Sequence, residues 1–260
     1  MDLFALPPLA AILDAVYAAM MWLTDLLSPI AGDASAAAAI VLVTLLVRAA
    51  LIPVGISQAR AEQTRARLAP RLREIQKRYK NDRERQQREM MRLYADENSS
   101  LFAGYLPMLA QAPVVGVIYA LFLHTSIAGH ANALLTEQLA GVPLGTSVLG
   151  SLGAPDPATW VVFGVLVLIV CAVAEVTRRA FRPIAAAGAG AGAGADTDVS
   201  PLTSAGARRV MGLLQYATAV VLLFVPLAAA LYLTVTVTWT LAQRLILRRR
   251  YPLPPEVRRA

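Results

Sequence analysis

The amino-acid sequence predicts an all-α, polytopic membrane protein with five transmembrane helices, a cytoplasmic helical hairpin and an N-terminal interfacial helix. Of the 260 residues, 57% are hydrophobic and 16% are charged, and the mean hydropathy is +0.55. Soluble domains carry about 25% charged residues. The chain still has 24 basic against 17 acidic residues, which gives a formal net charge of +7. This composition excludes a disordered nucleic-acid-binding tail and favours a membrane protein with strongly charged segments outside the lipid.

Apolar stretches set the predicted order of elements. A helix needs about 20 apolar residues to cross a bilayer. Over 9–28 the apolar residues recur at helical spacing while Asp14 and Asp25 share a polar face, so we predict that this helix lies in the membrane interface. The predicted order is an outer interfacial segment 1–35, span 1 at 36–57, a hairpin at 58–98, span 2 at 101–123, an outer loop at 124–157, span 3 at 158–176, a Gly/Ala-rich loop at 178–209, span 4 at 210–225, span 5 at 227–247 and a basic tail at 248–260.

The basic residues are segregated by loop and predict the orientation. Residues 1–35 and 124–157 contain no Lys or Arg, whereas 58–98 contains twelve, 178–209 five and the segment from Arg244 onward six. Lys and Arg accumulate in cytoplasmic loops. The N terminus is therefore predicted outside, and the hairpin, the Gly/Ala-rich loop and the C terminus are predicted in the cytoplasm.

Arg48 is the one basic residue that lies inside a predicted span and away from its cytoplasmic end, since Arg244 lies in the last turn of span 5. Arg48 lies about 18 Å of helix rise from residue 36 and about 12 Å from residue 56, and a central arginine costs about 2.5–3.5 kcal/mol on insertion scales. Thr44 lies one turn earlier on the same face. One interpretation is that Arg48 snorkels to the cytoplasmic surface. The other is that Thr44 and Arg48 form a polar stripe facing a hydrated cavity. We favour this second interpretation, because charged residues inside a membrane usually face a water-filled cavity and serve a function.

Polar residues in the other spans extend this candidate site. Each is also a plausible helix-packing residue. The predicted spans contain one carboxylate, Glu175, and it lies at the cytoplasmic edge of span 3. No acidic residue inside the spans is therefore predicted to pair with Arg48, which leaves Arg48 able to bind an acidic group from another molecule. The predicted lining residues are Gln111, Gln215, Thr234, Thr238 and Trp239 together with Thr44 and Arg48.

Three stretches, in this order and in these compartments, resemble the YidC/Oxa/Alb family of membrane protein insertases. TLLVRAALIPVGISQ at 44–58 is similar to the family's first core span with its groove arginine, at Arg48 here. IQKRYKNDRERQQREMMRLY at 75–94 resembles its cytoplasmic hairpin, and GYLPMLAQAPVVGVIYALF at 104–122 resembles its second span. FVPLAAALYLTVTVTWTLAQ at 224–243 resembles the last span more weakly. We expect no large outer domain, and the chain in this respect resembles the short five-span Gram-positive type.

The resemblance implies a function without a covalent step. A groove open to the cytoplasm and to lipid would let Arg48 attract the acidic tail of an incoming protein, whose apolar segment then moves into lipid. The implied partners are nascent membrane proteins and membrane lipids, with the ribosome and a Sec translocon as further candidates and no specific DNA, and the implied location is a bacterial plasma membrane. The hairpin would offer anionic headgroups or ribosomal RNA a basic surface, the alternative being a solvated surface that only obeys the positive-inside rule. That surface comprises Arg71, Arg78, Lys80, Arg83 and Arg85.

Two other classes of protein, a transporter and an enzyme, fit the sequence less well. A transporter of small anions or lipids would use the same intramembrane arginine, but the sequence shows none of the internal symmetry typical of such folds. An enzyme is disfavoured because Ser147 has no G-x-S-x-G context and the two histidines, His124 and His130, lie in the outer loop without an acidic or cysteine cluster. With Cys171 as the single cysteine, we predict no catalytic residue, no metal site and no cofactor.

Overall fold

The computed structural model describes residues 7–97, 116–117, 119–127, 130–153, 156–192 and 216–252. The chain divides into two compact units. The first contains residues 1–51, 111–174 and 216–240, and the second contains residues 52–110, 175–215 and 241–260.

A largely α-helical membrane protein is confirmed. Within the described residues, three helical stretches are long and apolar enough to cross a membrane: Ala10–Ala50, Pro157–Ala180 and Leu227–Arg250. Most of predicted span 2 and the first part of predicted span 4 lie outside the described residues, so the count of five spans stays a prediction.

Helix α1 (Pro7–Ala31) presents three distinct faces. Leu13 and Met20 are buried on one face. Asp14 and Asp25 are exposed and, eleven residues apart, lie on one flank. Trp22 and other large apolar side chains are exposed opposite the buried face. One face for protein, one for lipid and one for water is the pattern of an interfacial helix, and its placement in the membrane interface stays a prediction.

Helix α2 (Ser35–Ala50) follows α1 through a short 3-10 turn, Gly32–Ala34. The prediction that one span continues from 36 to 57 differs from the structure, because the helix ends at Ala50 and α3 (Ile52–Arg78) begins after Leu51. Pro53 explains the interruption: it lies in the first turn of α3, and because proline has no N–H to donate to the carbonyl of Ala49, α2 does not continue through it. Arg48 therefore lies in the last turn of α2 and not in the middle of a longer helix.

The core of the first unit joins α1 and α2 to segments from the rest of the chain. Helical residues 119–123 contribute Phe122, whose ring lies 6.1 Å from that of Tyr232. Helix α5 (Pro157–Gly192) contributes the buried Phe163. The short helix α6 (Ala217–Val221) is followed by a turn and Pro226, after which α7 runs from Leu227 to Arg250. Span 4 therefore contains only this short helix in its described part.

Helix α5 extends well beyond residue 176, where span 3 was predicted to end, and into the segment 178–209 predicted as a loop. Glu175 accepts hydrogen bonds from Arg178 (Nε–Oε2 2.8 Å) and from Arg179 (Nε–Oε1 2.5 Å). Such pairs three and four residues apart stabilise helices, and the alanines that follow are strong helix formers. Together they carry the helix past the membrane-length segment.

The second unit contains α3 and α4 (Arg83–Asp96), which pack against each other. The Asp82 side chain caps α4 by accepting from the backbone N–H of Arg85 (3.0 Å). Leu68, Leu72 and Tyr94 form a small buried cluster between the helices, with Met90 and Leu93 against it. Met91, the neighbour of Met90 on α4, is 56% exposed.

The end of α7 is held against the start of α3 in the same unit. The Arg60 guanidinium donates to the Tyr251 hydroxyl (3.3 Å) and lies 5.6 Å from the centre of that ring. Gln63 donates to the carbonyl of Pro252 (3.0 Å). Gly55 permits this approach, because a Cβ there would overlap the side-chain amide of Gln243.

The predicted outer loop contains two small antiparallel hairpins that the sequence did not predict. Strand β1 (Ser126–Ile127) pairs with β2 (His130–Ala131), and β3 (Gln138–Leu139) pairs with β4 (Val142–Pro143). The two residues joining β3 and β4, Ala140 and Gly141, have φ angles of 52° and 82°. Positive φ at both central positions is the geometry of a type I′ turn, which favours Asn-Gly.

Ala140→Asn is expected to stabilise the β3–β4 hairpin by about 0.5–1 kcal/mol, because asparagine tolerates left-handed backbone better than alanine. Ala140→Val should act in the opposite direction, since a β-branched side chain is strained at positive φ. Amide hydrogen exchange over residues 138–143 in detergent measures both effects. Equal protection in the two variants would contradict the turn geometry.

Candidate functional site

Thr44 and Arg48 lie one turn apart on α2, as the sequence predicts, but in different environments. The Thr44 side chain is 2% exposed, and its hydroxyl donates to the Ile40 carbonyl (Oγ1–O 2.6 Å). Arg48 is half-buried. The Thr44 hydroxyl is thus committed as a donor to its own helix and retains lone pairs that can accept a hydrogen bond.

Arg48 keeps an available guanidinium. Within the described residues it has no salt-bridge or hydrogen-bond partner. It occupies the last turn of α2, where the final backbone carbonyls lack intrahelical donors and carry partial negative charge. A cation at this end of a helix is stabilised by about 0.3–1 kcal/mol. The local backbone therefore favours the charge without neutralising it.

Helix α7 positions the predicted threonines and tryptophan of span 5. Thr234 is buried and donates to Ala230 (Oγ1–O 2.8 Å), whereas Thr238 is exposed and donates to Thr234 (Oγ1–O 2.7 Å). Trp239 is half-buried. As in α2, the hydroxyls donate to the preceding turn and offer only acceptor capacity to a ligand.

Thr236 is a residue that the sequence analysis missed. Its hydroxyl oxygen is buried and has no hydrogen-bond partner among the described residues. Thr240, one turn later, donates to the Thr236 carbonyl (2.8 Å), so α7 carries threonines at alternate positions from 234 to 240. This alternation is visible in the sequence, but in a helix it places Thr234 and Thr238 on one face and Thr236 and Thr240 on another. The predicted site included only the face with Thr234 and Thr238.

Both helices pack on one core through the neighbours of these polar residues. Val43 and Val47 of α2 and Leu233 and Val237 of α7 contact the buried cluster of the first unit. Each apolar residue immediately precedes a predicted site residue, so the polar side chains lie about 100° further round each helix. Gln111 and Gln215 lie outside the described residues, and their places in the site stay predictions.

The hairpin concentrates charge around one aromatic ring. The guanidinium groups of Arg78 and Arg85 lie 5.8 and 5.2 Å from the centre of the Tyr79 ring. Arg71, by contrast, pairs with Glu97 (3.2 Å), as does Arg67 (2.6 Å). The predicted basic residues exposed on this pair of helices are Arg71, Arg78, Lys80, Arg83 and Arg85.

A model of the "60Kd inner membrane protein" family matches residues 26–254. The chain belongs to this family. The matched range includes every residue of the predicted groove and of the predicted hairpin surface. This confirms the resemblance to the YidC/Oxa/Alb insertases.

Among similar proteins are three named "Membrane protein insertase YidC". The Clostridium perfringens relative is 40% identical over 117 residues, covering 45% of this chain and 44% of that protein. The Streptomyces avermitilis relative is 36% identical over 100 residues, 38% of this chain and 23% of that protein. The Clostridium tetani relative is 33% identical over 111 residues, 43% and 50% respectively. The chain thus covers half or less of the length of these family members.

Proposed function

We propose that this chain is a membrane protein insertase that moves the hydrophilic tail of a nascent membrane protein along a groove containing Arg48. The observation that supports the proposal is the Arg48 guanidinium, which has no partner among the described residues and lies in the last turn of an apolar helix, in a chain of the 60Kd inner membrane protein family. The names of the relatives point to the same activity.

Electrostatic attraction is the first step. An acidic group 4 Å from Arg48 gains about 1 kcal/mol in water and about 4 kcal/mol where the effective dielectric constant falls to 20. Thr238 of α7 is exposed, and its oxygen accepts a hydrogen bond from the backbone of the tail or from water. Together these groups reduce the desolvation cost that a polar segment meets in hydrocarbon.

Release into lipid is the second step and supplies the driving force. Each Å² of apolar surface removed from water contributes about 25 cal/mol, so a substrate segment of membrane length gains far more than the groove must supply. No bond is formed or broken, and the chain needs neither a catalytic residue nor a cofactor. The proposed site is Arg48, Thr44, Gln111, Gln215, Thr234, Thr238 and Trp239.

The proposed location is a bacterial plasma membrane, with the N terminus outside and the C terminus in the cytoplasm. The segregation of basic residues supports this orientation. The exposed arginines around Tyr79 then face the compartment of ribosomes and anionic headgroups, the proposed partners of the hairpin. Cooperation with a Sec translocon belongs to the same proposal.

A photocrosslinking experiment tests the proposal. A photoreactive amino acid at Thr44 should form an adduct with the nascent chain in stalled ribosome complexes carrying a single-span substrate. The matched control is Leu168 of α5, an apolar residue that is 70% exposed. We expect adducts from position 44 at several times the yield from position 168.

The same experiment addresses the alternative, a transporter of small anions or lipids that would also use Arg48. Absence of nascent-chain adducts at position 44, combined with Arg48-dependent uptake of an anion into vesicles, would overturn the insertase proposal in favour of transport. A lower yield of adducts at position 44 when an acidic-tailed substrate peptide is added in excess would support insertion.

A further inference from the structure

Two helices of the second unit, α5 and α7, meet where their membrane-length stretches end. The Arg248 guanidinium of α7 donates a hydrogen bond to the Ala180 carbonyl of α5. Ala180 and Arg250 are the last residues of the apolar stretches Pro157–Ala180 and Leu227–Arg250. The hydrogen bond therefore joins the two stretches at the level where a membrane-spanning helix leaves the hydrocarbon.

These helix ends are strongly basic. Residues 175–182 and 244–250 contain seven arginines and one acidic residue, Glu175. The Glu175 carboxylate accepts two hydrogen bonds from Arg178 (2.7 and 2.8 Å) and a third from the Nε of Arg179. One carboxylate balances the charge of one arginine, so a formal charge of +6 remains on the two segments.

Arg179 and Arg249 carry part of this charge at exposed positions. The Arg179 side chain is 75% exposed, and its two Nη groups have no hydrogen-bond partner among the described residues. Arg249 is exposed as well, and it makes no ion pair or hydrogen bond within the part of the chain that the structure describes. A guanidinium with available N–H groups matches the geometry of a phosphate.

An exposed apolar side chain lies one turn before each of these arginines. Val176 precedes Arg179 on α5 and is 45% exposed, and Ile246 precedes Arg249 on α7 and is 66% exposed. Residues three apart share a helix face, so each helix presents an apolar surface that ends in a guanidinium. A phospholipid has the same order, with acyl chains in the hydrocarbon and a phosphate at its boundary.

We propose that the paired ends of α5 and α7 bind an anionic phospholipid of the surrounding membrane. Arg179 and Arg249 hold its phosphate, and Val176 and Ile246 contact its acyl chains. Basic pockets between transmembrane helices suit anionic headgroups. The positive charge disfavours a zwitterionic lipid, because the one carboxylate of these segments, Glu175, is already bound to two arginines.

Nucleic acid fits these helix ends less well. An RNA backbone would satisfy the arginines but would leave the apolar side chains beside them uncovered. The lipid site does not rest on the proposed function, because lipid binding requires neither Arg48 nor a nascent chain.

Native mass spectrometry of the purified full chain tests the proposal. Phosphatidylglycerol and phosphatidylcholine with identical acyl chains are titrated separately into the detergent-solubilised protein, and the affinity of the first bound lipid is measured. The double variant Arg179→Gln/Arg249→Gln should bind phosphatidylglycerol at least about tenfold more weakly, since each arginine near an anionic headgroup contributes about fivefold in affinity. Its affinity for phosphatidylcholine should stay unchanged, whereas Ile246→Ser should weaken the binding of both lipids.

The matched control is Arg88→Gln/Arg92→Gln, which removes two exposed positive charges from α4 and should leave the binding of both lipids unchanged. Equal weakening in this control would overturn the site, because net charge would then be sufficient. Unchanged binding of phosphatidylglycerol in Arg179→Gln/Arg249→Gln would also overturn it. Displacement of phosphatidylglycerol by a short RNA that binds through the same two arginines would assign the helix ends to nucleic acid instead.

Thermal unfolding in detergent shows which variants remain folded. Arg249→Gln alone leaves the hydrogen bonds of Glu175 on α5 intact, so it serves where the double variant does not fold, and it should weaken phosphatidylglycerol binding about fivefold. Because this assay contains no nascent chain, a negative result counts against the lipid site and leaves the insertase proposal untouched.

Discussion

Arg48→Ala is expected to reduce insertion of single-span substrates with acidic tails at least about tenfold, in cells depleted of their own insertase and supplied with this chain. The substitution removes the unpaired guanidinium at the end of α2 and, with it, an attraction of about 1–4 kcal/mol for a carboxylate at close range. Protease protection of the translocated tail measures the result.

Arg48→Lys distinguishes charge from geometry. Lysine carries the same charge but lacks the planar fork that binds a carboxylate through two hydrogen bonds. Recovery of insertion by lysine would show that charge alone is sufficient, whereas a defect similar to that of alanine would assign the effect to guanidinium geometry.

Arg88→Ala is the matched control for these variants. It removes one positive charge from an exposed position on α4, where Arg88 makes an exposed contact with Glu84 (3.6 Å). We expect near-normal insertion from this variant. Equal insertion by the original chain and by Arg48→Ala, at equal protein levels, would contradict a groove role for Arg48.

Local sequence signals predicted the features of the fold that depend on composition and residue spacing, namely helices and the residues that share a helix face. Helical apolar spacing predicted the helix α1, which buries one stripe of apolar residues. Thr44 and Arg48 share a face because they are four residues apart. The break at Leu51 had a signal too, in Pro53, but the continuous apolar run outweighed it in the prediction of span 1.

The folded part of the predicted outer loop, residues 126–127 and 130–153, could not be predicted from the same signals. Its strands are only two residues long, too short for alternation to register, and its stability comes from contacts distant in the sequence, such as Asn132 with Leu121 and Thr146 with Leu227. The continuation of α5 past residue 176 was not predicted either, because the charge and glycine content of this segment indicated a loop. The ion pairs of Glu175 and the helix propensity of alanine favour a helix instead.

Leu68→Ala is expected to separate α4 from α3, because the two helices share only a small buried cluster. Leu68 is 1% exposed, and truncating a buried leucine typically costs about 2–5 kcal/mol. The ion pairs of Glu97 with Arg67 and Arg71 involve largely exposed arginines and contribute about 0–1 kcal/mol each, so they cannot replace that loss.

Spin labels at Glu74 of α3 and Gln87 of α4, both exposed, measure the separation of the helices directly. A narrow distance distribution should become broad in Leu68→Ala and stay narrow in Met91→Ala, which truncates a side chain that is 56% exposed on the same helix pair. An unchanged distribution in Leu68→Ala would show that the exposed ion pairs hold the helices together. If the hairpin carries the proposed partner contacts, Leu68→Ala should weaken binding of anionic vesicles or ribosomes while retaining every basic residue, so the arrangement of the charges would matter as well as their number.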